Sequence, residues 1–430
     1  MRIVHIIPGV AGSFYCENCL RDTTIAEALK KLGHDVLVVP VYLPIKTDEN
    51  FTVDSSPVFF GGINVYLQQK YSLFRKTPRW LDRLLDSQKL LGWLGRKARM
   101  TSARALGEMT VSMLRAEQGR QLKELNRFIE WLSSQENRPD VVCLSNALLA
   151  GLAGCIKEAL DVPVLCLLQD EDSFLDGLGS PFSEQAWEIL SRRLGDVDAF
   201  IAVSKYYANI IQHRLKLNKE QIHIVYMGIS LDGYESFKAV PQSLAIGYLS
   251  RMCFDRGLDT LVEAFIKLKG KERLKDLKLR IAGGRTSNDD VFIRCLRQKL
   301  EGFGFINDVD FMPEFGRDAK LDFFRTLSLL SVPEKHPVAY GLYIIEAMAA
   351  GVPIVAPSIG ALPELLEMTG GGILCEPNNP SDLAAAMERL LLDPDYAEQL
   401  GKKGRGAVFE KFNVEQTAEE IVRICKEIVR

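Results

Sequence analysis

Short apolar runs alternate with longer amphipathic stretches along this chain, and the same order occurs in both halves. The runs lie at 3–7, 36–39, 244–249 and 277–282, and stretches with helical spacing lie between them at 24–32 and 258–268. Runs of this length in which apolar residues predominate are typical of strands in sheets that are covered on both faces. Strands that alternate with helices predict parallel sheets with helices on both faces.

Further apolar runs of the same kind extend each half. They lie at 140–144, 162–168, 199–203, 329–333 and 354–356. Residues 232–241 lack any periodicity, which indicates a linker. We therefore predict an α/β protein with two Rossmann-like, doubly wound parallel-sheet domains, one over 1–235 and one over 236–411.

Composition narrows the class of protein. The chain has 430 residues, of which 47% are hydrophobic, and this is enough for two cores. A net charge of −3 gives no overall field that would attract nucleic acid. Nine cysteines without a secretory signal, and no apolar run of about 18–20 residues, predict a soluble cytoplasmic protein, or one peripheral to a membrane.

A glycine-containing loop and a short helix lie between two apolar runs of the second half. The run that ends at Pro333 is followed by Gly341 and then by helix-forming residues over 342–350. The N-terminus of a helix in such a βαβ unit is a ready anion site. Glu346 lies about one turn into the helix, where its carboxylate can accept hydrogen bonds from ribose hydroxyls. The unit therefore predicts a nucleoside diphosphate site that includes Gly341, Leu342 and Glu346.

This motif resembles that of the family 4 glycosyltransferases, which are retaining enzymes of the two-domain GT-B fold. The matching residues are Gly341, Glu346, Ala347, Met348, Ala349, Gly351 and Pro353. The family pattern begins with another glutamate, which is thought to approach the donor sugar. Val338 stands at that position here, and the nearest upstream acid is Glu334.

The resemblance implies two domains that face a cleft, with the donor bound mainly to the second domain and the acceptor to the first. It also implies that the last helix, over 412–430, packs back on the first domain. A UDP- or GDP-sugar would be the donor substrate, with no further cofactor. Metal is not expected, because Arg251, Arg256 and the helix start at Gly341 would bind the diphosphate in place of an Asp-x-Asp motif.

A pair of cations follows the first strand of the second half. Arg251 and Arg256 precede Gly257, and this segment resembles the family pattern of Gly-Arg-Leu, three variable residues and Lys-Gly. Arginines on a strand-end loop can neutralise a diphosphate as the glycosidic bond breaks. The alternative is a pair of surface arginines with local salt bridges. The spacing favours function, so we predict that both arginines are catalytic.

Polar residues also follow a strand of the first half. Gln169 stands where many family members have a histidine that contacts the donor sugar, and its amide can still bind a hydroxyl. Asp170, Glu171 and Asp172 add charge where an acceptor hydroxyl would lose its proton. We name Gln169 and Glu171 as catalytic candidates, and a solvated acidic loop is the alternative.

Three glycines would let the backbone approach a ligand. Gly283 and Gly284 would face the base of the nucleotide, and the alternative is that they form an ordinary turn. Gly12 resembles part of a family glycine pair that faces the phosphates or the acceptor. Cys16 and Cys19 lie in an inserted loop beside it. No second pair of ligands has zinc spacing, so we predict that these thiols pack near the cleft.

Residues 75–104 are rich in cations and aromatic residues. Nine Lys or Arg residues, against two Asp, are interleaved with apolar residues that include Trp80 and Trp93. A basic amphipathic helix can lie in an anionic membrane interface, whereas most apolar stripes pack inside a protein. We favour the interpretation that this apolar stripe packs inside the protein. The alternative is peripheral contact with the inner face of the membrane, near a lipid-linked acceptor.

The resemblance, together with these features, implies a retaining, hexosyltransferase-like enzyme. It would move a sugar from a nucleotide sugar to a glycan, lipid-linked or small-molecule acceptor. Val338 and Gln169 suggest an alternative, a sugar-nucleotide-binding protein that has lost transfer activity. A nucleotide-sugar epimerase, which would share the fold, is a weaker alternative.

Overall fold

The computed structural model describes residues 1–9, 17–42, 59–60, 103–235, 243–286, 288–312 and 317–429. Within these residues the chain forms two parallel sheets of six strands each, with flanking helices. The predicted α/β architecture of two doubly wound domains is therefore confirmed.

The first sheet is built from β1 (Arg2–Ile7), β2 (Asp35–Pro40), β3 (Val141–Leu144), β4 (Val164–Leu168), β5 (Ala199–Ala202) and β6 (Ile222–Ile224). Its helices are α1 (Glu17–Lys31), α2 (Ala103–Leu114), α3 (Leu122–Leu132), α4 (Ala153–Leu160), α5 (Glu171–Gly177), α6 (Phe182–Arg193) and α7 (Lys205–Leu215). The strand order is β2-β1-β3-β4-β5-β6. Strands β3, β4 and β5 are buried throughout, as their uninterrupted apolar sequences predict.

The second sheet is built from β7 (Ala245–Leu249), β8 (Lys278–Ala282), β9 (Val309–Met312), β10 (Leu329–Leu330), β11 (Ile354–Pro357) and β12 (Gly372–Cys375). The helices that follow these strands are α8 (Leu258–Lys269), α9 (Asp290–Gly302), α10 (Arg317–Arg325), α11 (Leu342–Ala349), α12 (Leu362–Thr369), α13 (Pro380–Leu392) and α14 (Pro394–Lys411). The strand order is β12-β11-β10-β7-β8-β9, and all pairs are parallel.

The last helix, α15 (Val414–Ile428), packs against α1 of the first domain. The chain returns to that domain where Ile229 N donates to Phe412 O and Val414 N donates to Ile229 O, each at 3.0 Å. A Cβ at Gly228 would lie 2.1 Å from Asn413 O, so only glycine allows this approach. The predicted boundary at 235 and 236 falls beside a segment outside the described residues and stays a prediction.

Two elements differ from the sequence-based expectation. Helix α1 begins at Glu17, seven residues before the predicted start, so Cys19 lies in a helix and not in a loop. Strand β10 contains only Leu329 and Leu330, because Pro333 has no N–H for the ladder and Glu334 N donates to Val332 O at 2.9 Å.

Several predictions concern residues outside the described part of the chain. These are Gly12, Cys16, and the basic segment as far as residue 102. Among the residues that the structure does describe, none of the helices combines the length and the apolar character that crossing a membrane requires.

Candidate functional site between the domains

The strand order of the second sheet places two loops at its switch point. The first strand, β7, lies between β10 and β8. Strands β8 and β9 extend the sheet on one side of β7, and the later strands β10, β11 and β12 extend it on the other. In open parallel sheets, ligands bind outside the carboxyl ends of the strands at such a point. Arg251 and Arg256 lie on the loop after β7, and Gly341 ends the loop after β10. These three predicted residues therefore lie on the two loops that border the crevice at the switch point.

The loops after β7 and β10 pack so closely that only glycine fits at their contact. Gly257 has φ +70°, and a Cβ there would lie 1.8 Å from the carbonyl oxygen of Pro333. Lys335 N also donates to Asp255 O at 3.0 Å. The two loops thus form one continuous wall of the crevice.

Arg251 is held by an acid on the neighbouring loop after β8. Its guanidinium donates to both carboxylate oxygens of Asp289, at 3.0 Å from Nε and 2.9 Å from Nη2. The backbone N–H and the hydroxyl of Thr286 each donate to the same carboxylate at 2.7 Å. Burial opposes ionisation of Asp289, but these bonds outweigh it and hold its pKa below the ordinary value. The carboxylate therefore stays ionised beside Arg251.

Arg256 is held by an acid that is almost fully buried. Arg256 Nη1 donates to Glu334 Oε1 at 2.8 Å, and Glu334 is 1% exposed. Burial raises the pKa of Glu334 to about 7, against the opposing effect of Arg256. The charge of Asp170, from the first domain, adds to this increase. The buried carboxyl group beside Arg256 therefore has a pKa near neutrality.

The predicted glycine pair ties the loop after β8 to the loop after β7. Gly284 O accepts a hydrogen bond from Met252 N at 2.9 Å. Gly283 has φ +125°, and a Cβ there would lie 2.1 Å from Ser250 O. Loop packing thus accounts for the glycine at 283, and an approach of either glycine to a base stays a prediction.

Glu346 lies on the second turn of α11 and is paired with a lysine that sequence analysis missed. Lys320 Nζ, on α10, donates to Glu346 Oε1, and Glu346 is buried. A lysine near the start of an amphipathic helix is usually solvated, so the sequence carried no signal for this contact. A crevice between α1 and α11 is lined by Lys320, Leu342 and Glu346 from the second domain and by Arg21 and Thr24 of α1 from the first.

A buried polar network lies at the carboxyl edge of the first sheet. Arg21 donates to Gln169 Oε1 at 2.5 Å and to Asp22 Oδ1 at 2.7 Å, and Ser145 Oγ donates to Asp22 Oδ2 at 2.6 Å. His5 Nε2 lies 3.5 Å from Asp22 Oδ1. The network fixes the amide of Gln169 beside Arg21, which itself lines the crevice. A catalytic role for Gln169 stays a prediction.

Glu171 is buried and accepts three hydrogen bonds. They come from Ala147 N at 2.9 Å, Gln169 N at 2.8 Å and the Tyr207 hydroxyl at 2.7 Å. Burial raises the pKa of Glu171, although these bonds favour its ionised form. The contacts fix the loop after β4 against α7. The structure therefore gives Glu171 a positioning role, and its predicted catalytic role stays a prediction.

Residues 338–340 connect the two domains. Ala339 N donates to Asp170 Oδ1 at 2.8 Å, and Ser204 Oγ donates to Ala339 O at 2.7 Å. The Tyr340 hydroxyl donates to Met227 O at 2.7 Å. Val338, which stands in place of the family glutamate, is buried beside these contacts. The segment that departs from the family pattern is thus part of the domain interface.

A carboxylate of the second domain also caps a helix of the first. Glu364, near the start of α12, accepts from Lys205 N at 2.9 Å and from Tyr206 N at 3.0 Å, in the first turn of α7. The Tyr226 hydroxyl donates to the same carboxylate. Helix N-termini favour negative charge, so these contacts hold the domains together.

The crevice between α1 and α11 is narrow in this arrangement. Its cavity volume is about 20 Å³. Ligand pockets typically measure about 300–1,000 Å³. We therefore expect the domains to separate before a ligand the size of a nucleotide binds between α1 and α11.

Two family profiles match the chain. The profile described as Glycosyltransferase Family 4 matches residues 104–232, and that described as Glycosyl transferases group 1 matches residues 235–407. The second match contains Arg251, Arg256, Gly341 and Glu346. The first contains Gln169 and the contacts of Glu171.

Relatives with matching sequences are glycosyltransferases. An uncharacterized glycosyltransferase of Methanocaldococcus jannaschii is 24% identical over 243 residues, which are 53% of this chain and 59% of the relative. A D-inositol 3-phosphate glycosyltransferase of Streptomyces bingchenggensis is 26% identical over 249 residues, 55% of this chain and 54% of the relative. The chain thus spans little more than half the length of these relatives.

Solved structures resemble nearly the whole chain. Sucrose-phosphate synthase from Thermosynechococcus elongatus has a TM-score of 0.70 and 18% identity, over 99% of this chain and 98% of that one. The Anabaena protein HepE, in complex with UDP-glucose, has a TM-score of 0.68 and 16% identity, over 99% of this chain and 100% of that one. These likenesses establish the fold, and the predicted GT-B architecture is confirmed.

Proposed function

Because this chain belongs to the group 1 glycosyl transferases of glycosyltransferase family 4, we propose that it transfers a sugar from a nucleoside diphosphate sugar to an acceptor. The observation that carries this proposal is the crevice at the switch point of the second sheet. Two arginines lie on the loop after β7, the neighbouring loop after β10 leads into the start of α11, and α11 carries the buried Glu346. Cations and a helix N-terminus suit a diphosphate, and a carboxylate suits ribose hydroxyls.

The chemistry of the proposed reaction follows from these groups. As the glycosidic bond breaks, negative charge develops on the leaving diphosphate. Arg251 and Arg256 would stabilise that charge, and closure of the domains would exclude water from the crevice. We propose retention of the anomeric configuration on the basis of the family resemblance. The donor would be a UDP- or GDP-hexose, since a protein of the same fold binds UDP-glucose.

Donor identity can be tested with UDP-glucose, GDP-mannose and ADP-glucose. Binding is measured by calorimetry, and release of nucleoside diphosphate is followed with and without acceptors and with EDTA. We expect one donor to bind, and its diphosphate to be released in the presence of EDTA. Failure of all three to bind would contradict the proposed function.

The second candidate function is a sugar-nucleotide-binding protein without transfer activity. It is favoured by Val338 and Gln169, which replace polar groups that the family places near the sugar. Such a protein would bind a donor in the same experiment but release no diphosphate with any acceptor. An epimerase would instead change the sugar of the nucleotide sugar, which product analysis detects.

The acceptor is proposed to bind the first domain. A lipid-linked acceptor would agree with membrane contact by residues 75–104, which the structure does not test. Sedimentation with anionic vesicles at low salt, and its loss in a variant with Arg96, Lys97 and Arg99 neutralised, examines that contact directly. Absence of sedimentation would remove the reason for preferring a lipid-linked acceptor.

A further inference from the structure

Two arginine–carboxylate pairs flank the loop after β7, and they differ in how the acid is stabilised. Asp289 accepts four hydrogen bonds, two from Arg251 and two from Thr286. Glu334 accepts from Arg256 Nη1 at 2.8 Å, inside a site where it is 1% exposed. Ionisation of Asp289 is therefore supported by four hydrogen bonds, whereas the contacts that favour ionisation of Glu334 come from Arg256 and the Tyr343 hydroxyl.

The surroundings of Glu334 contain further titratable groups from every side. Asp170 faces it from the first domain, Tyr343 from α11, and Tyr248 from β7. On its own loop, Lys335 pairs with Asp259 at 2.7 Å, and His336 lies 3.8 Å from Asp255. Those two side chains are thus directed to other acids. Asp170 and a ligand diphosphate would both add negative charge near Glu334.

A diphosphate that binds Arg256 competes with Glu334 for its guanidinium. If the carboxylate stayed ionised, a buried negative charge would lose part of its support from Arg256, the cation that pairs with it among the described residues, beside a second anion. A like charge favours the protonated form of a carboxyl group, and so does burial. A protonated Glu334 can remain in place, because the neutral acid still offers a carbonyl oxygen to Arg256.

We infer that Glu334 is a positioning residue for Arg256 and that its carboxylate takes up a proton from solvent when the diphosphate of a donor binds to Arg256. An O–H bond forms on Glu334 during binding, and the proton returns to solvent when the diphosphate leaves. This inference rests on the proposed function, because it requires a diphosphate at the loop after β7. Donor binding would accordingly weaken as the pH rises.

The experiment is calorimetry of UDP-glucose, GDP-mannose or ADP-glucose, whichever binds, with the full chain. A sugar nucleotide is suitable because its diphosphate is a diester, whereas a terminal phosphate titrates itself near pH ~6. Titrations in Tris and in HEPES, which differ in ionisation enthalpy, give the number of protons taken up. From the pKa of Glu334 of about 7, the wild type should take up roughly 0.7 proton at pH 7.5 and almost none at pH ~5.5.

Glu334→Gln should abolish the uptake and make the Kd independent of pH, while the wild-type Kd rises toward tenfold per pH unit above about pH 7. Asp289→Asn is the matched control, and its proton uptake should equal that of the wild type. Proton uptake that persists in Glu334→Gln would overturn the inference. So would proton uptake that is lost in Asp170→Asn but not in Glu334→Gln. Binding without proton uptake would overturn it and leave the proposed function intact. Failure of all three sugar nucleotides to bind would overturn both.

Discussion

Each arginine beside the switch point already binds a carboxylate of its own domain. These pairs hold the guanidinium groups of Arg251 and Arg256 in place, at 2.8 to 3.0 Å from their acids. A side chain that is already ordered loses less conformational entropy when it binds a ligand. The local salt bridges and the proposed function are therefore compatible at the level of single residues.

Removal of either arginine should weaken nucleoside diphosphate binding. For Arg251→Ala and Arg256→Ala we expect a loss of about 1.5–3 kcal/mol each, because a charge-assisted contact disappears. Calorimetry gives the affinity, and thermal unfolding checks that the fold persists. Arg285→Ala serves as a control, since this exposed arginine lies near the same loops. Unchanged affinity in both variants would remove the arginines from the site.

The buried Glu334 makes stability depend on pH. Its pKa is about 7 in the folded protein and 4.5 ordinarily, so between these values the folded chain holds a proton that the unfolded chain has released. The free energy of unfolding therefore falls as the pH rises through this window, by about 3 kcal/mol. Glu334→Gln lacks this contribution. Measured by urea unfolding, the free energy of unfolding of Glu334→Gln relative to that of the wild type should rise from pH ~4.5 to pH ~7.5. A difference between the two proteins that does not change with pH would contradict the prediction.

Glu171 offers a test of a structural against a catalytic role. In Glu171→Gln an amide NH₂ replaces one oxygen that accepts a hydrogen bond inside the domain. We expect a loss of about 1–3 kcal/mol in the free energy of unfolding. Asp172→Asn, at a half-exposed neighbour, should leave stability unchanged. Loss of sugar transfer in Glu171→Gln at unchanged stability would instead support the catalytic prediction.

Residue types and their places on strand ends could be predicted, whereas their partners could not. Arg251 and Arg256 follow β7 as expected, but their acids lie 38 and 78 residues further along the chain. Which loops meet depends on the strand order, and periodicity carries no information about that order. Lys320 was missed for the same reason, since its contact with Glu346 joins two different helices.

At the scale of elements, α7 depends on an acid from the other domain. The two backbone N–H groups of Lys205 and Tyr206 donate to Glu364, which lies on α12. Ser204, at the N-cap position, accepts from Tyr207 N at 3.1 Å through its hydroxyl. The hydrogen bonds at the start of α7 thus depend on contact between the two domains.

Glu364→Gln should expose the start of α7. Because an amide NH₂ cannot accept a hydrogen bond, we expect a loss of about 0.5–2 kcal/mol of protection at Lys205 N and Tyr206 N. Hydrogen exchange of the first turn of α7 measures this loss. Glu367→Gln, on the exposed side of α12, should leave the exchange unchanged. Equal protection in both variants would mean that the cap does not hold the domains together.

Element boundaries were predictable where glycine or apolar periodicity defined them. Helix α1 ends at Lys31, close to the predicted end at residue 32, and Gly33 follows with φ +83°. Helix α11 begins at Leu342, as predicted, directly after Gly341. The start of α1 was not predicted. Its first turn is polar, as expected of a helix end over a cleft, and therefore resembles a loop in sequence.

At the scale of the whole molecule, the contacts of Ala339, Tyr340 and Glu364 keep the crevice nearly closed. We expect a donor to reach Glu346 after these contacts separate. Binding that requires a conformational change is slower than ordinary association. The domain interface therefore controls access as well as geometry.

Weakening that interface should speed donor association. We expect Glu364→Gln to raise the association rate constant of a sugar nucleotide about two- to tenfold, since opening loses part of a cap worth about 0.5–2 kcal/mol. Stopped-flow fluorescence measures the rate, with Glu367→Gln as control. An unchanged rate in Glu364→Gln would show that opening does not limit association.

The existence of two domains was predictable from the repeated pattern of apolar runs, but their mutual arrangement was not. Facing carboxyl edges were expected only through the family resemblance. The contact of Asp170 with Ala339 joins residues 169 positions apart, and no local pattern marks either of them. Such interfaces depend on the shapes of both folded domains, which are not encoded in a short window of sequence.

The packing of α15 on α1 has a consequence for the order in which the protein is completed during synthesis. Between the end of β6 at Ile224 and the start of α15 at Val414, a ribosome must add the whole second domain. At roughly 5–20 residues per second, this takes about 10–40 s. During that interval the surface of α1 that meets the apolar face of α15 remains uncovered. The second domain can thus complete its sheet before the first domain acquires its last helix. The order in which the two domains are completed is then the reverse of their order in the sequence.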